Sequence, residues 1–111
     1  MSKQHYNGWT NYETWLVKLW QDNDEGEQRF WSGMADKFIE ESEPRHCMTS
    51  EDVARYDFAD YLKDTYEDRA ADVTVTGFWA DLLGAALADV NWNAIAESWI
   101  GDAVEAASDE G

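Results

Sequence analysis

Between Val90 and Val104 the apolar residues recur on the helical period without a miss: Trp92, Ile95, Ala96, Trp99, Ile100, Ala103 and Val104. Side chains spaced at three and four line one face of an α-helix, whereas a half-buried strand needs strict alternation. Asn91 is placed to cap this helix, and Val90 before the cap to staple onto Ile95. The same period recurs upstream. One proline, Pro44, interrupts the whole chain, so long stretches are free to be helical.

Four further helices follow from spacing and end signals. Thr10 and Glu13 form a capping box before Tyr12, Trp15, Leu16, Leu19 and Trp20, which share one face of a first helix ending near Asp22. A second helix is predicted from about Asp24 to Glu41, with Phe30, Trp31, Met34, Ala35, Phe38 and Ile39 as its stripe. Its first turn holds Asp24, Glu25 and Glu27, whose charges complement the helix dipole. Ser42 to Met48 reads as a loop around Pro44.

Thr49 starts a third helix reaching about Asp68, burying Val53, Tyr56, Ala59 and Leu62, with Tyr66 as a further member and Phe58 and Tyr61 on one flank. "DVTVTG" at 72–77 alternates like a strand but has no evident partner, so it is read as an extended connector. Thr76 is placed to cap a fourth helix over 77–89, carrying Phe78, Trp79, Leu82, Leu83, Ala86 and Leu87.

The expectation is all-α: a single compact domain, 1–111, of about five amphipathic helices around an aromatic-rich core. Residues 1–8 and 107–111 are expected to be flexible. The chain is 14% aromatic with seven Trp, a content unlike that of disordered acidic segments. One cysteine, Cys47, precludes an internal disulfide and suits a reducing compartment. The N-terminus has no apolar run of the signal-peptide kind, and no stretch reaches the roughly 20 apolar residues of a membrane span. These features point to a soluble protein inside a cell.

Charge narrows the partners. Lys and Arg number 8 against 24 Asp and Glu, a formal net charge of −16. Self-repulsion of that size opposes compaction and exceeds what solubility requires of a small domain. It disfavours direct binding to nucleic acid or to an anionic membrane, and a basic partner is its complement. Adaptation to high salt is the alternative account.

The residues that carry chemistry are sparse. "DNDEGE" at 22–27 resembles a calcium loop, but with Gly26 at loop position 6 the first ligand becomes Gln21 and the twelfth Ser32, so the register fails. His46 and Cys47 have no second cysteine or spaced histidine pair to complete a zinc site, and no third member for nucleophilic catalysis. No glycine-rich phosphate loop is present. The residues give no catalytic assignment, metal site or cofactor site.

The acids are informative in arrangement. Asp57, Asp60, Asp64, Glu67 and Asp68 recur at three and four along the third helix, which places charges roughly 4.5–6 Å apart along its axis. Phosphates on one DNA strand advance about 3.4 Å each along the helix axis, and somewhat more along the strand. A like-charge stripe costs a helix a few tenths of a kcal/mol per pair. It is either a solvated face or a mimic of a nucleic-acid backbone. Asp22, Asp24, Glu25 and Glu27 form a second acidic patch.

"NGWTNYETWLVKLWQDND" (7–24) and "DVNWNAIAESWI" (89–100) resemble a family of small uncharacterised proteins encoded by phages, plasmids and other mobile elements. Asn11, Tyr12, Thr14, Trp15, Val17, Leu19, Trp20 and Asn23 match its first motif, N-Y-x-T-W-x-V-x-L-W-x-x-N. Val90, Asn91, Trp92, Ile95 and Ala96 match the second, V-N-W-x-x-I-A. The resemblance implies a genomic setting and a host-cell cytoplasm rather than an activity.

The sequence expectation is a non-catalytic anti-defence inhibitor, anti-CRISPR or anti-restriction. It would occupy the basic nucleic-acid-binding groove of a host protein or complex through the two acidic patches. An adaptor that oligomerises through its aromatics, or a small metal-dependent enzyme using clustered acids, are the alternatives.

Overall fold

The computed structural model describes residues 8–73 and 77–110. Five helices follow in order: α1 (Tyr12–Asn23), α2 (Glu25–Glu41), α3 (Ser50–Asp72), α4 (Gly77–Asp89) and α5 (Trp92–Glu110). The all-α architecture agrees with the helical periods. α5 runs to Glu110, while residues 1–7 and Gly111 lie outside the described residues.

α5 is the central element and packs chiefly on α3 and α2. Ile95, Ala96 and Ile100 are fully buried, with Val90, Trp92, Trp99 and Ala103 nearly so. The Asn91 side chain accepts from the Ala94 N–H at 3.1 Å, the expected cap. Asp24 caps α2 by accepting from the Glu27 N–H at 3.0 Å, and Thr49 caps α3 by accepting from the Asp52 N–H at 3.1 Å.

Aromatic packing joins α2 to α3. Trp31, fully buried, meets Phe58 edge-on at 5.9 Å and stacks on Tyr66 at 5.9 Å, and Tyr66 in turn stacks on Trp92 at 5.4 Å. Such pairs add about 0.5–1.5 kcal/mol beyond the area they bury.

Four expectations are corrected. Asn11, not Thr10, caps α1: its side chain accepts from the Thr14 N–H at 2.9 Å, and helical geometry starts at Tyr12. The inward face of α1 is polar, with Thr14, Lys18 and Gln21 buried while Trp20 stays 68% exposed. Apolar spacing misplaced this face because each buried polar group finds a partner on another element. On α3 the buried aromatic is Phe58, and Tyr56 is exposed. Finally, α4 buries no residue completely, and Phe78, Trp79 and Leu82 face outward. The expected Thr76 cap, and most of the connector leading to it, lie outside the described residues. Gly77 opens α4 at φ +59°, a conformation that strains any side chain bearing a Cβ.

Burial predicts the stability map. Leu62→Ala, at a fully buried site, is expected to cost about 2–5 kcal/mol in urea denaturation. Leu82→Ser, half exposed, should stay within about 0.5 kcal/mol of the parent.

Candidate interaction surface

The two sequence motifs meet in a polar clamp. Thr14 is fully buried. Its hydroxyl donates to Asn11 Oδ1 at 2.6 Å and accepts from the Asn91 N–H at 2.8 Å. Asn11 Nδ2 donates to the Asp89 carbonyl at 2.7 Å, and Asn91 Nδ2 donates to Thr10 Oγ1 at 2.8 Å. The start of α1 is thereby fixed to the turn between α4 and α5. Asn and Thr suit the task because their short side chains donate and accept at once.

Two turns further along α1, Gln21 completes the anchorage. The Trp99 indole N–H donates to Gln21 Oε1 at 2.8 Å, and Gln21 Nε2 donates to the Tyr66 hydroxyl at 3.1 Å. Lys18 lies over the Trp99 ring, 3.9 Å from its centroid, and donates to Asp22 at 2.8 Å. The ammonium is therefore buried with both a π-face and a carboxylate to compensate it. Burial pushes the Tyr66 phenol above its ordinary value, with the nearby Glu27 charge adding to that rise; the Gln21 hydrogen bond and Arg69 oppose it.

On this frame the acids fall into two kinds. Those of the second patch are engaged internally. Asp22 holds Lys18, Asp24 caps α2, and Glu25 pairs with Arg29 at 3.3 Å. Glu27 accepts from the Trp31 indole N–H and from Arg69, each at 3.0 Å. Arg69 also lies 5.2 Å from the Tyr66 ring centroid, so Glu27 and Arg69 lock the start of α2 to the end of α3.

The α3 ribbon is more open. Asp57, Asp60, Asp64, Glu67 and Asp68 are all exposed. Asp57 meets Arg45 at 3.3 Å, and Glu67 meets Lys63 at 3.9 Å. Asp60, Asp64 and Asp68, at successive intervals of four, carry no ion pair among the described residues. Intervals of four residues put these three carboxylates about 6 Å apart along the helix. They are exposed, turned away from Phe58 and Leu62, which are fully buried and anchor α3 in the core. The helix cannot roll to hide them without exposing those two side chains.

The described basic residues offer little competition. All of them but the exposed Lys37, namely Lys18, Arg29, Arg45, Arg55, Lys63 and Arg69, lie within 4.0 Å of a carboxylate of this chain. Cys47 is exposed beside His46, in a turn closed by paired backbone hydrogen bonds between Arg45 and Met48. Among the described residues no three of His, Cys, Asp or Glu converge to hold a metal ion. No helix among them is long and apolar enough to cross a membrane.

A family model described as a family of unknown function, DUF7249, matches residues 2–109. The chain belongs to DUF7249. Comparison with curated proteins and with solved structures gave no match. The DUF7249 match takes in the clamp, the ribbon and α4 together.

The clamp was missed from sequence as a structural device, although Asn11, Thr14 and Asn91 all belong to the quoted motifs. Their signal was small polar residues beside aromatics at helix starts. Thr14→Val, which keeps shape but leaves Asn91 N–H unpaired, is expected to cost about 1–3 kcal/mol in thermal or urea unfolding. Thr14→Ser should retain most of that stability. The raised Tyr66 pKa gives a second test. Its contribution is fully present below the unfolded value of about 10 and is lost as pH rises through the higher folded value. Stability should therefore fall on the alkaline side of pH 10, and Tyr66→Phe should flatten that limb.

Proposed function

We propose that this protein is a non-catalytic inhibitor that occupies the basic nucleic-acid-binding groove of a host protein complex, by mimicry of a phosphate backbone. The observation that carries the reading is the set of bare carboxylates Asp60, Asp64 and Asp68 on a rigid, outward helix face. Asp57 and Glu67 extend the ribbon, since their Arg45 and Lys63 partners are exposed and an incoming guanidinium can exchange for them. The patch at Asp22, Asp24, Glu25 and Glu27 adjoins the ribbon through the Glu27–Arg69 bridge and adds to the field.

The physical logic is steering followed by pairing. A net charge of −16 raises the encounter rate with a basic groove, and carboxylates at near-phosphate spacing accept hydrogen bonds from its Arg and Lys residues. The partners are those that evolved to grip nucleic acid, and restriction and CRISPR complexes are the class we propose. A mobile-element origin, acting within the host cytoplasm, belongs to the same reading.

Competition measures it directly. Purified protein is expected to displace labelled DNA or guide-bound target from a restriction or CRISPR complex, with inhibition falling steeply as salt rises. The triple variant Asp60→Asn, Asp64→Asn, Asp68→Asn should weaken inhibition at least about tenfold, equivalent to about 1.4 kcal/mol. Inhibition unchanged in that variant would rule out the ribbon as the contact.

A further inference from the structure

The fourth helix is built of the wrong residues for its position. Its sequence, GFWADLLGAALAD, contains only two polar side chains, Asp81 and Asp89. A helix apolar on nearly every side belongs in an interior. Yet none of its residues is fully buried, Phe78 and Trp79 are 67% and 64% exposed, and Leu82 is 50% exposed. Leu83 and Leu87 turn the other way, into a groove against Ala70, Ala71 and Val73 at the end of α3. That groove is itself open, with small residues, Ala80 and Gly84, along its α4 side. The helix therefore has apolar surface left over on two sides after folding.

The charge around it selects the occupant. From Ala70 to Gly111 the chain has no Lys or Arg. Glu67 lines the groove, Asp72 ends α3, and Asp81 and Asp89 lie on α4 itself, all three of these aspartates exposed. An anionic membrane surface is repelled by such a rim, and 13 residues of helix, about 20 Å, fall short of a bilayer core of about 30 Å. A second copy would set the same acids against themselves, between two bodies each of net charge −16. What complements an apolar face rimmed by carboxylates is an apolar face rimmed by ammonium or guanidinium groups.

We propose that the outward face of α4, with Phe78, Trp79 and Leu82, is a docking site for an amphipathic helix of a partner protein that carries leucine-class side chains on one face and Lys or Arg along its edges. The mode is that of an amphipathic helix laid on an apolar face: the apolar side anchors, and the basic edges set orientation against Asp72 and Asp81. This surface is separate from the ribbon and does not depend on it.

The test uses the full-length chain and an 18-residue synthetic helix with Leu at helical spacing and Lys elsewhere, followed by fluorescence anisotropy and amide chemical shifts. Binding is expected to saturate, with shifts concentrated at residues 77–89. The pair Phe78→Ser, Leu82→Ser should weaken it at least tenfold, as should Asp72→Asn, Asp81→Asn. Circular dichroism should stay unchanged for both, since these side chains are exposed. Asp60→Asn, Asp64→Asn should leave peptide binding as it was, which separates this site from the ribbon. Any of four results would overturn the proposal. These are no saturable binding, shifts centred on Asp57–Asp64, equal binding of the same peptide with every Lys replaced by Glu, or a dimer in sedimentation that Leu82→Ser abolishes.

Discussion

The fold depends on the fully buried hydroxyl of Thr14. It is held between Asn11 on its own helix and the backbone of Asn91, 77 residues away in sequence. Through that contact the first helix is registered against the turn that starts the last one. Gln21 and Lys18 can then reach Trp99, and Gln21 can reach Tyr66. Buried polar groups are costly when unpaired, on the order of 1–3 kcal/mol each, so this face tolerates few alternative arrangements. The same cost gives specificity: a rotation of α1 that buried Trp20 would strand a hydroxyl, an amide and an ammonium.

This explains how far the sequence could be read. α5, α2 and the caps at Thr49 and Asn91 were legible because apolar period and capping chemistry agreed with the final packing, whereas Asp24, read as a first-turn acid, is the cap of α2. α1 was not legible, because apolar spacing cannot register a buried face made of Thr, Lys and Gln. Those residues go inside only if partners from distant segments are waiting, and sequence spacing carries no record of them. α4 failed for the opposite reason. Its residues announce burial, but the rest of this chain supplies too little surface to bury them. The ribbon at Asp57–Asp68 was legible as an exposed stripe, since its acids recur at three and four along α3. Which of its members stay bare was not, since that turns on where Arg45 and Lys63 point.

The ion pairs deserve the same physical reading. Most join exposed side chains, and pairs of that kind contribute about 0–1 kcal/mol each. They add little to stability, yet they determine the map of free charge. Each described pair removes a cation from the surface potential, and what remains is concentrated where no cation stands. Glu27 and Arg69 differ from the rest, because they also engage the Trp31 indole and the Tyr66 ring. They fix where the end of α3 lies against α2, and hence the direction in which the ribbon runs.

That direction leads to α4. Glu67 is both a member of the ribbon and a wall of the groove formed with Ala80, Leu83 and Leu87. One acid of the ribbon and the inner side of the apolar helix therefore meet at one end of α3, while the exposed face of α4 stands apart from the bare carboxylates. Charge of this kind acts over a Debye length, about 8 Å at physiological salt, and mainly governs encounter and orientation. Apolar contact acts only at touching distance and governs how long a complex lasts. A surface with both divides the work of recognition. In the proposed complexes the acids would draw a basic partner toward α3, and an apolar segment would seat on α4. A partner offering charge alone would be captured quickly and released quickly, so residence time rather than encounter rate is the quantity in which α4 should make itself felt.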